Sequence, residues 1–242
     1  MKEATLEKGT VYLIPSVLAP DSAPTVIPEQ IRDVVRKTDY YLVENIRTAR
    51  RYISSLKTGA VIESLEFNEL DKKTPDHIVK KLLKPACEGR SIGIISEAGC
   101  PGVADPGARA VEEAHRLGLN VVPLTGPSSF LLALMASGFN GQSFEFHGYL
   151  PIKAGERKKA LGKLENDSRR NRKTQIFMET PYRNDKMVES ILANCQASTK
   201  LCIAVNISGS DEFIYSAPIT EWKKLKRSFH KQPAVFLIYA GD

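Results

Sequence analysis

Hydrophobic residues in the first half of the chain fall into short runs, at residues 11–14, 40–43, 61–65, 91–95 and 120–124. Each run has the length of one strand, and the continuously apolar run at 91–95 is typical of a parallel sheet covered on both faces. Between the runs, hydrophobic residues recur at helical spacing, as at Ile31, Val34 and Val35. The pattern therefore predicts alternating strands and helices, which indicates an α/β fold.

Capping residues, prolines and glycines mark the ends of the predicted helices. Helices are predicted near residues 48–56, 75–87, 107–117 and 127–137. The second has the strongest start, because Thr74 can cap it, Pro75 suits the first helical position and Asp76 adds a carboxylate to the first turn. Gly118 and Gly138 lie just beyond the ends of the last two helices, where glycine is common.

The second half of the chain contains five further apolar runs that predict strands. Apolar runs occur at residues 144–146, 175–178, 201–205, 213–215 and 234–239, with one short helix near Trp222. About ten strands exceed what one open sheet comfortably holds in a chain of this length. We therefore expect two α/β domains, residues 1–123 and 124–242, that meet near residues 123–127.

Composition indicates an ordinary globular protein, with 42% hydrophobic and 26% charged residues among 242. No apolar run approaches the roughly 20 residues of a membrane span, and residues 1–8 lack the apolar core of a signal peptide. We therefore expect a cytoplasmic protein with no membrane partner. The cysteines, Cys87, Cys100, Cys195 and Cys202, lack zinc or disulfide spacing, so we expect free and mostly buried thiols.

A net charge of +6 and a pI near 9.1 favour an anionic partner such as nucleic acid, although such a charge is equally a solubility feature. The basic residues form two tracts: Lys153, Arg157, Lys158, Lys159, Lys163, Arg169, Arg170, Arg172 and Lys173, then Lys223, Lys224, Lys226, Arg227 and Lys231. Two interpretations have equal weight. The tracts contact phosphates, or they are solvated helix faces partly neutralised by Glu156, Glu165 and Asp167.

Several common sites have no counterpart in the sequence. No G-x-G-x-x-G follows the first strand and no G-x-x-x-x-G-K-[ST] occurs, which disfavours NAD and ATP. The histidines, His77, His115, His147 and His230, occur singly rather than at metal-ligand spacing, so we expect no metal. The G-x-S-x-G motif of serine hydrolases is also missing.

Two segments rich in glycine and proline each join a strand to a helix. SEAGCPGVADPG at residues 96–107 can bring its backbone close to a ligand at the carboxyl edge of a parallel sheet. LTGPSS at residues 124–129 carries Ser128 and Ser129, whose hydroxyls can bond a ligand carboxylate or cap the next helix. Taken singly, each segment is more simply explained as a structural turn.

Five segments in order resemble the tetrapyrrole methylase superfamily, and within it the ribosomal RNA small subunit methyltransferase I family. They are GTVYLIP at 9–15, ISEAGCPGVADPG at 95–107, VVPLTGPSS at 121–129, FHGYLP at 146–151 and IFMETPYR at 176–183. Their combined spacing is far more specific than any one segment. The resemblance implies two α/β domains, S-adenosylmethionine in the cleft between them, and a homodimer.

The resemblance also assigns site residues. Contacts with the methyl donor fall on Pro15, Glu97, Ala98, Gly99, Cys100, Pro101, Val103, Asp105, Thr125, Ser128, Ser129, Leu150 and Met178, with Ala204, Pro233 and Ala234 carried over from strand ends. The reaction is a direct displacement at the activated methyl group, for which the protein orients donor and acceptor. A hydroxyl acceptor also benefits from a base, and Glu44, Glu97 and Asp105 are candidates that can instead cap helices or stabilise turns.

Three segments depart from the family pattern, and they bear on the acceptor. SVLAPD at 16–21 replaces a glycine-asparagine turn, residues 43–47 keep Glu44 and Arg47 but lose an aspartate, and NISG at 206–209 replaces Glu-Leu-Thr-Lys. We expect methylation of RNA, at a ribose 2′-hydroxyl of small-subunit ribosomal RNA. The alternatives are methylation of a small molecule such as a tetrapyrrole, or RNA binding without catalysis.

Overall fold

The computed structural model describes residues 7–241; residue 242 and residues 1–6, which bear on the predicted lack of a signal peptide, lie outside the described part. The chain forms two compact units, the first ending at Pro127 and the second beginning at Ser128, a little beyond the expected boundary at residue 123. Each unit combines a five-stranded sheet with helices, which confirms the predicted α/β class. None of the described helices is long and apolar enough to cross a membrane.

The first unit alternates strands and helices. Its strands are β1 (Thr10–Ile14), β2 (Tyr40–Val43), β3 (Glu66–Glu69), β4 (Ile92–Ile95) and β5 (Asn120–Pro123). Its helices are α1 (Ala23–Val26), α2 (Glu29–Lys37), α3 (Ile46–Ser55), α4 (Asp76–Cys87) and α5 (Gly107–Arg116). The sheet has the order β3-β2-β4-β1-β5, and every pair is parallel. The loops that follow β4, β1 and β5 are therefore neighbours at the carboxyl edge.

Both faces of this sheet are covered, as its apolar strands predict. Ile31 and Val35, one helical turn apart on α2, pack against one face, while Leu83 of α4 and Ala110 of α5 pack against the other. Strands β2 and β4 are buried along their whole length. The sheet therefore has a double-sided core, with one hydrophobic cluster packed on each face, and this core supports the loops at its carboxyl edge.

The prediction of a strand at residues 61–65 is wrong. Ile62–Ser64 form a 3₁₀ turn, and β3 begins only at Glu66, which lies opposite Tyr40 of β2. The sequence of β3 is EFNE, and it forms the edge of the sheet. An edge strand needs no continuous apolar run, so hydrophobicity did not mark it.

The prediction that Thr74 caps α4 is also wrong. The Thr74 hydroxyl accepts a bond from the Asp71 amide and donates one to Asp71 Oδ1, both at 2.9 Å. It therefore closes the turn before the helix, and Pro75 occupies the capping position without a side-chain bond. The predicted start differs from the observed one by a single residue.

The second unit has a mixed sheet in the order β6-β7-β10-β8-β9. Its strands are β6 (Phe144–Tyr149), β7 (Thr174–Glu179), β8 (Lys200–Val205), β9 (Phe213–Pro218) and β10 (Ala234–Tyr239). Its helices are α6 (Ser129–Ser137), α7 (Ala154–Asn171), α8 (Asn184–Asn194) and α9 (Ile219–Trp222). Only the pair β6 and β7 is parallel. Helix α8 was not predicted, and α6 begins two residues after Pro127.

The two faces of the second sheet are covered by different helices. Leu161 of α7, Ile191 of α8 and Trp222 of α9 share a core with Phe177 and Phe236, whose rings stack with centroids 5.7 Å apart. Helix α6 packs on the opposite face. Because neighbouring residues of a strand alternate between faces, this arrangement decides which predicted site residues can act together.

Candidate functional site

The loops after β1 and β4 are bonded to each other. Ser16 and Gly99 exchange backbone hydrogen bonds of 2.9 and 3.2 Å, and the buried Ser16 hydroxyl donates to the Glu97 carbonyl at 3.2 Å. Ser96 Oγ also donates to the Gly99 carbonyl, at 3.2 Å. The segment at 16–21, which departs from the family pattern, therefore begins with a residue that holds the glycine-rich turn in place.

The loop after β5 contacts the loops that follow β1 and β4. The Cys100 thiol donates to the Pro127 carbonyl at 3.4 Å, and the Tyr52 hydroxyl of α3 donates to the Pro15 carbonyl at 2.5 Å. A β-carbon at Gly126 would overlap the β-carbon of Pro15, so only glycine allows this approach. We call residues 15–22, 96–106 and 124–127 the edge loops, because all three lie at the carboxyl edge of one sheet.

Asp105 stabilises the turn in which it lies. Its Oδ1 accepts bonds from the amides of Gly102, at 2.6 Å, and Gly107, at 2.8 Å. Burial raises the pKa of Asp105 above its usual range, although the two amide bonds oppose the shift. This carboxylate therefore has the structural role that the sequence left open for it.

The three predicted acidic residues lie near one another. The Glu97 amide donates to Glu44 Oε2 at 3.3 Å. Partial desolvation and the charge of Glu44 raise the pKa of Glu97, and the same charge adds to the raised pKa of Asp105. Burial is the main cause of both raised pKa values, and the Glu44 charge adds to each. Three carboxyl groups close together favour a cationic ligand.

The predicted donor-contact residues of the edge loops differ in solvent exposure. Glu97, Ala98, Val103 and Thr125 are exposed, whereas Pro15, Gly99 and Pro101 are buried and Cys100 and Asp105 are half-buried. The accessible side chains are therefore small, apolar or acidic. Residues 7–241 contain no group of three or more His, Cys, Asp or Glu that could hold a metal ion.

Two predicted contacts begin the second unit. Ser128 is the residue before α6, and its hydroxyl forms no capping hydrogen bond, although its carbonyl accepts the first helical bond from Leu132. Ser129 is half-buried in the first turn. The structure therefore gives the Ser128 hydroxyl no capping role, and its contact with a ligand stays a prediction.

The remaining predicted contacts of the second unit divide between the two faces of its sheet. Val235 lies opposite both Met178 and Ala204, so these three share the face covered by α6. Ala234 lies opposite Glu179 and faces the other core. Its side chain is therefore not brought together with Met178 and Ala204. Pro233, just before it, is exposed.

A pocket of about 450 Å³ opens in the second unit, where β6 and β7 end. We call it the second-unit pocket; it is lined by Tyr149, Leu150, Pro151, Ile152, Thr180 and Arg183. Of these residues, the sequence had indicated only the buried Leu150. The signal for the others lay in the segments FHGYLP and IFMETPYR, which contain all of them except Ile152.

Arg183 is fixed in this pocket by a buried carboxylate. Its Nε and Nη2 donate to Glu179 Oε1 at 3.0 and 2.6 Å, and the Thr180 amide donates to the same oxygen at 2.6 Å. The side chain of Glu179 is 1% exposed. The hydrogen bond to Glu179 raises the pKa of Arg183, so the guanidinium remains charged.

The long basic tract has members of two kinds. Arg157 is buried and donates to Ser190 Oγ and to the Ile152 carbonyl, and Lys173 pairs with Glu145 at 2.9 Å. Those two side chains are structural. Four others on α7 are exposed and have no ion pair within residues 7–241: Lys158, Lys159, Lys163 and Arg170.

The net charge belongs to one unit. The sequence up to Pro127 has 17 lysines and arginines and 17 aspartates and glutamates. From Ser128 onward the counts are 17 and 11, which accounts for the whole charge of +6. The acidic edge loops thus belong to a neutral unit, and the exposed lysines of α7 to a basic one.

Known proteins match this chain over most of its length. It is 28% identical over 236 residues to ribosomal RNA small subunit methyltransferase I of Buchnera aphidicola subsp. Schizaphis graminum, covering 96% of this chain and 79% of the relative. The protein of that name from Streptococcus pyogenes serotype M3 is 30% identical over 233 residues, covering 96% and 77%.

Solved structures share the fold. The methyltransferase CobJ superposes with a TM-score of 0.62 at 18% identity, covering 96% of this chain and 93% of its own. Uroporphyrin-III-C-methyltransferase from Thermus thermophilus gives 0.56 at 18% identity, covering 96% and 92%. The model of the tetrapyrrole (corrin/porphyrin) methylases matches residues 13–223. The chain therefore belongs to the tetrapyrrole methylase family and is an S-adenosylmethionine-dependent methyltransferase.

Proposed function

We propose that the chain methylates RNA and that its edge loops bind the methyl donor. The observation that carries the proposal for the donor is the proximity of Glu44, Glu97 and Asp105 beside exposed small residues. S-adenosylmethionine supplies an activated methyl group on a positively charged sulfur, which suits this acidic edge.

The residues of the edge loops fit such a ligand. The positive φ of Gly99 and the close approach of Gly126 to Pro15 keep side chains out of the way, so that backbone groups are accessible. Ala98 and Val103 supply apolar contacts, and the Thr125 hydroxyl supplies a polar one. These side chains hold and orient the donor, and the double-sided core of the sheet keeps their spacing fixed.

The second unit is proposed to contribute donor contacts of its own. Its contributors are the Ser128 and Ser129 hydroxyls at the start of α6, the side chains of Leu150, Met178 and Ala204, and the backbone of Pro233 and Ala234. Backbone contact is specified for Ala234 because its side chain faces away from Met178 and Ala204. The proposal also includes a homodimer and a cytoplasmic location.

RNA is proposed as the acceptor for two reasons. The curated relatives that match the chain are named as ribosomal RNA small subunit methyltransferases. The second unit carries the net positive charge, with exposed side chains of α7 unpaired within the described chain. Phosphate contacts by lysine and arginine release counterions and supply sequence-independent affinity for RNA. The proposed acceptor atom is a ribose 2′-hydroxyl of small-subunit ribosomal RNA.

Glu97 is proposed as the base that takes the proton of the acceptor hydroxyl. Asp105 Oδ1 is already bonded to two amides, whereas Glu97 is exposed. Burial and the Glu44 charge raise the pKa of Glu97, and a carboxylate with a raised pKa is a stronger base than an ordinary one. Glu44 acts beside it, as the neighbouring charge that contributes to the shift.

The decisive experiment separates donor binding from methyl transfer. Calorimetry with S-adenosylmethionine measures the first, and transfer of a labelled methyl group to small ribosomal subunits that lack the modification measures the second. The proposal expects both. Donor binding with transfer only to a tetrapyrrole would replace the RNA assignment, and RNA binding without donor binding would indicate a relative that has lost catalysis.

A further inference from the structure

Two of the side chains that line the second-unit pocket are large, apolar and exposed. Tyr149 is 57% exposed and Ile152 is 64% exposed, although both are large apolar side chains beside a pocket. We propose that this pocket binds one unpaired base of the RNA substrate, stacked on Tyr149 and contacted by Arg183. The inference rests on the proposed RNA methylation and adds the position at which a base is held.

The aromatic surface fits a nucleobase. Unpaired bases of RNA are recognised mainly by stacking on tyrosine and similar rings, and each such contact strengthens binding by roughly 5- to 150-fold. A pocket of about 450 Å³ lies within the size range of small-ligand sites. Tyr182, beside Arg183 in the chain, is also 69% exposed and meets the edge of His230, with centroids 5.9 Å apart. Two exposed aromatic rings, Tyr149 and Tyr182, therefore lie at this end of the sheet.

Arg183 supplies the polar contact. Its Nε and Nη2 are both engaged by Glu179, whereas Nη1 has no hydrogen-bond partner among residues 7–241. A guanidinium held in this way presents a fixed donor and a flat face, and arginine uses both in contacts with bases. Glu179 Oε2 is buried without a partner in the described part of the chain, so this carboxylate depends on Arg183 for its charge compensation.

Charge favours RNA over the donor as the occupant of this pocket. Arg183 is already paired with Glu179, so the unpaired positive charge comes from Lys158 and Lys159, which are exposed on α7, the helix that begins two residues after Ile152. An RNA segment carries one negative phosphate per nucleotide and is attracted to this charge, whereas the positive sulfur of the donor is not. Leu150, the one lining residue assigned to the donor, is buried at 6% exposure and leaves the exposed surface to Tyr149 and Ile152.

The test uses the full chain and single-stranded RNAs of about ten nucleotides that carry the fluorescent base 2-aminopurine, a length within the usual site size. Stacking on Tyr149 quenches the fluorescence of such a base. We expect Tyr149→Ala and Arg183→Ala each to weaken RNA binding by about ten-fold, to abolish most of the quenching, and to leave the dissociation constant for S-adenosylmethionine within about two-fold. Tyr149→Phe keeps the ring and should retain binding.

Two controls make this result specific. Phe144→Ala removes an exposed aromatic ring from the other end of β6 and should leave RNA binding unchanged. Glu179→Gln tests the positioning role of Glu179: it should weaken RNA binding when Arg183 is present and have little further effect in the Arg183→Ala background. Equal effects of Glu179→Gln in both backgrounds would assign Glu179 a purely structural role.

The outcomes separate this inference from the proposed function. RNA affinity that is unchanged in both Tyr149→Ala and Arg183→Ala, or loss of donor affinity in its place, overturns the base pocket even if the native protein methylates RNA. Native protein that binds and quenches the labelled RNA but transfers no methyl group to ribosomal subunits overturns the proposed function and leaves the base pocket standing.

Discussion

Ser16 and Gly99 are joined by two backbone hydrogen bonds, of 2.9 and 3.2 Å, between loops that follow two different strands. The pair forms an isolated antiparallel bridge at the carboxyl edge of an otherwise parallel sheet. Gly99 has φ +72°, which side-chain-bearing residues rarely adopt. The bridge therefore fixes the glycine-rich turn in the conformation that the proposed donor site requires.

Gly99→Ala should weaken donor binding. The substitution places a β-carbon 3.3 Å from both Leu18 Cδ2 and the Pro127 carbonyl, in addition to the roughly 1–2 kcal/mol cost of a left-handed alanine. We expect about a ten-fold rise in the dissociation constant for S-adenosylmethionine, measured by calorimetry. Gly59→Ala is the matched control, because Gly59 has φ +83° with nothing within 4 Å and should change stability but not donor affinity.

Asp105 should prove more important for folding than for proton transfer. Asp105→Ala leaves the amides of Gly102 and Gly107 without their acceptor, at a cost of about 1–3 kcal/mol in the free energy of unfolding. Asp105→Asn keeps an oxygen in that position and should preserve most of the stability in a thermal melt. If Asp105→Asn instead abolished transfer while donor binding stayed intact, Asp105 would replace Glu97 as the proposed base.

Glu97→Gln should abolish the acidic limb of the pH profile of methyl transfer. The raised pKa of Glu97 means that a base at this position is lost to protonation at a higher pH than an ordinary glutamate. As the pH is lowered, the native rate should therefore begin to fall at a pH higher than the usual pKa range of glutamate. The variant should show a low rate that does not change with pH. Gln carries no charge, so a profile unchanged in shape would assign the base elsewhere.

The same shift predicts a pH-dependent effect of Glu97→Gln on stability. A carboxyl whose pKa is raised in the folded state favours folding below its unfolded pKa, and this contribution disappears as pH rises through the folded pKa. At neutral pH the variant should therefore be at least as stable as the native protein, with the difference vanishing in acid. Denaturant unfolding of both proteins at neutral and at acidic pH measures this difference in the free energy of unfolding. A large loss of stability in the variant at neutral pH would contradict burial as the cause of the raised pKa.

The exposed lysines of α7 should determine the salt dependence of RNA binding. Replacing Lys158 and Lys163 by alanine removes two charges that have no ion pair among the described residues. RNA affinity falls as the salt concentration rises, and the plot of log affinity against log salt concentration should become shallower in this variant. Its slope should change by about one for each RNA phosphate that is no longer neutralised. The double change of Lys80 and Lys81 to alanine on α4 of the neutral unit is the control and should leave the slope unchanged.

Sequence patterns predicted those parts of the fold in which burial and local chemistry agree. The run at 91–95 became β4 because a strand buried on both faces must be apolar throughout. The edge strand β3 was missed because its EFNE sequence reflects exposure, and Thr74 was misplaced because the same hydroxyl suits a turn as well as a cap. Local patterns do not show which of two adjacent hydrogen-bonding arrangements prevails.

The candidate site was predictable only in part for a similar reason. The resemblance named Glu97 and Asp105, but their separate roles depend on the hydrogen bonds that Asp105 accepts from the amides of Gly102 and Gly107. The pairing of Glu179 with Arg183 lies within one segment, but it depends on how the chain turns after β7. The opposite facing of Ala234 follows from strand register, which no single segment encodes. Both arrangements are therefore seen only in the folded structure.

The close approach of Gly126 to Pro15 has an evolutionary consequence. The two positions together have room for only one β-carbon, since a second would overlap the first. A side chain at position 126 becomes tolerable only after position 15 has itself become glycine, and the reverse order is blocked. These two sites should therefore drift as a coupled pair, although they lie in different loops.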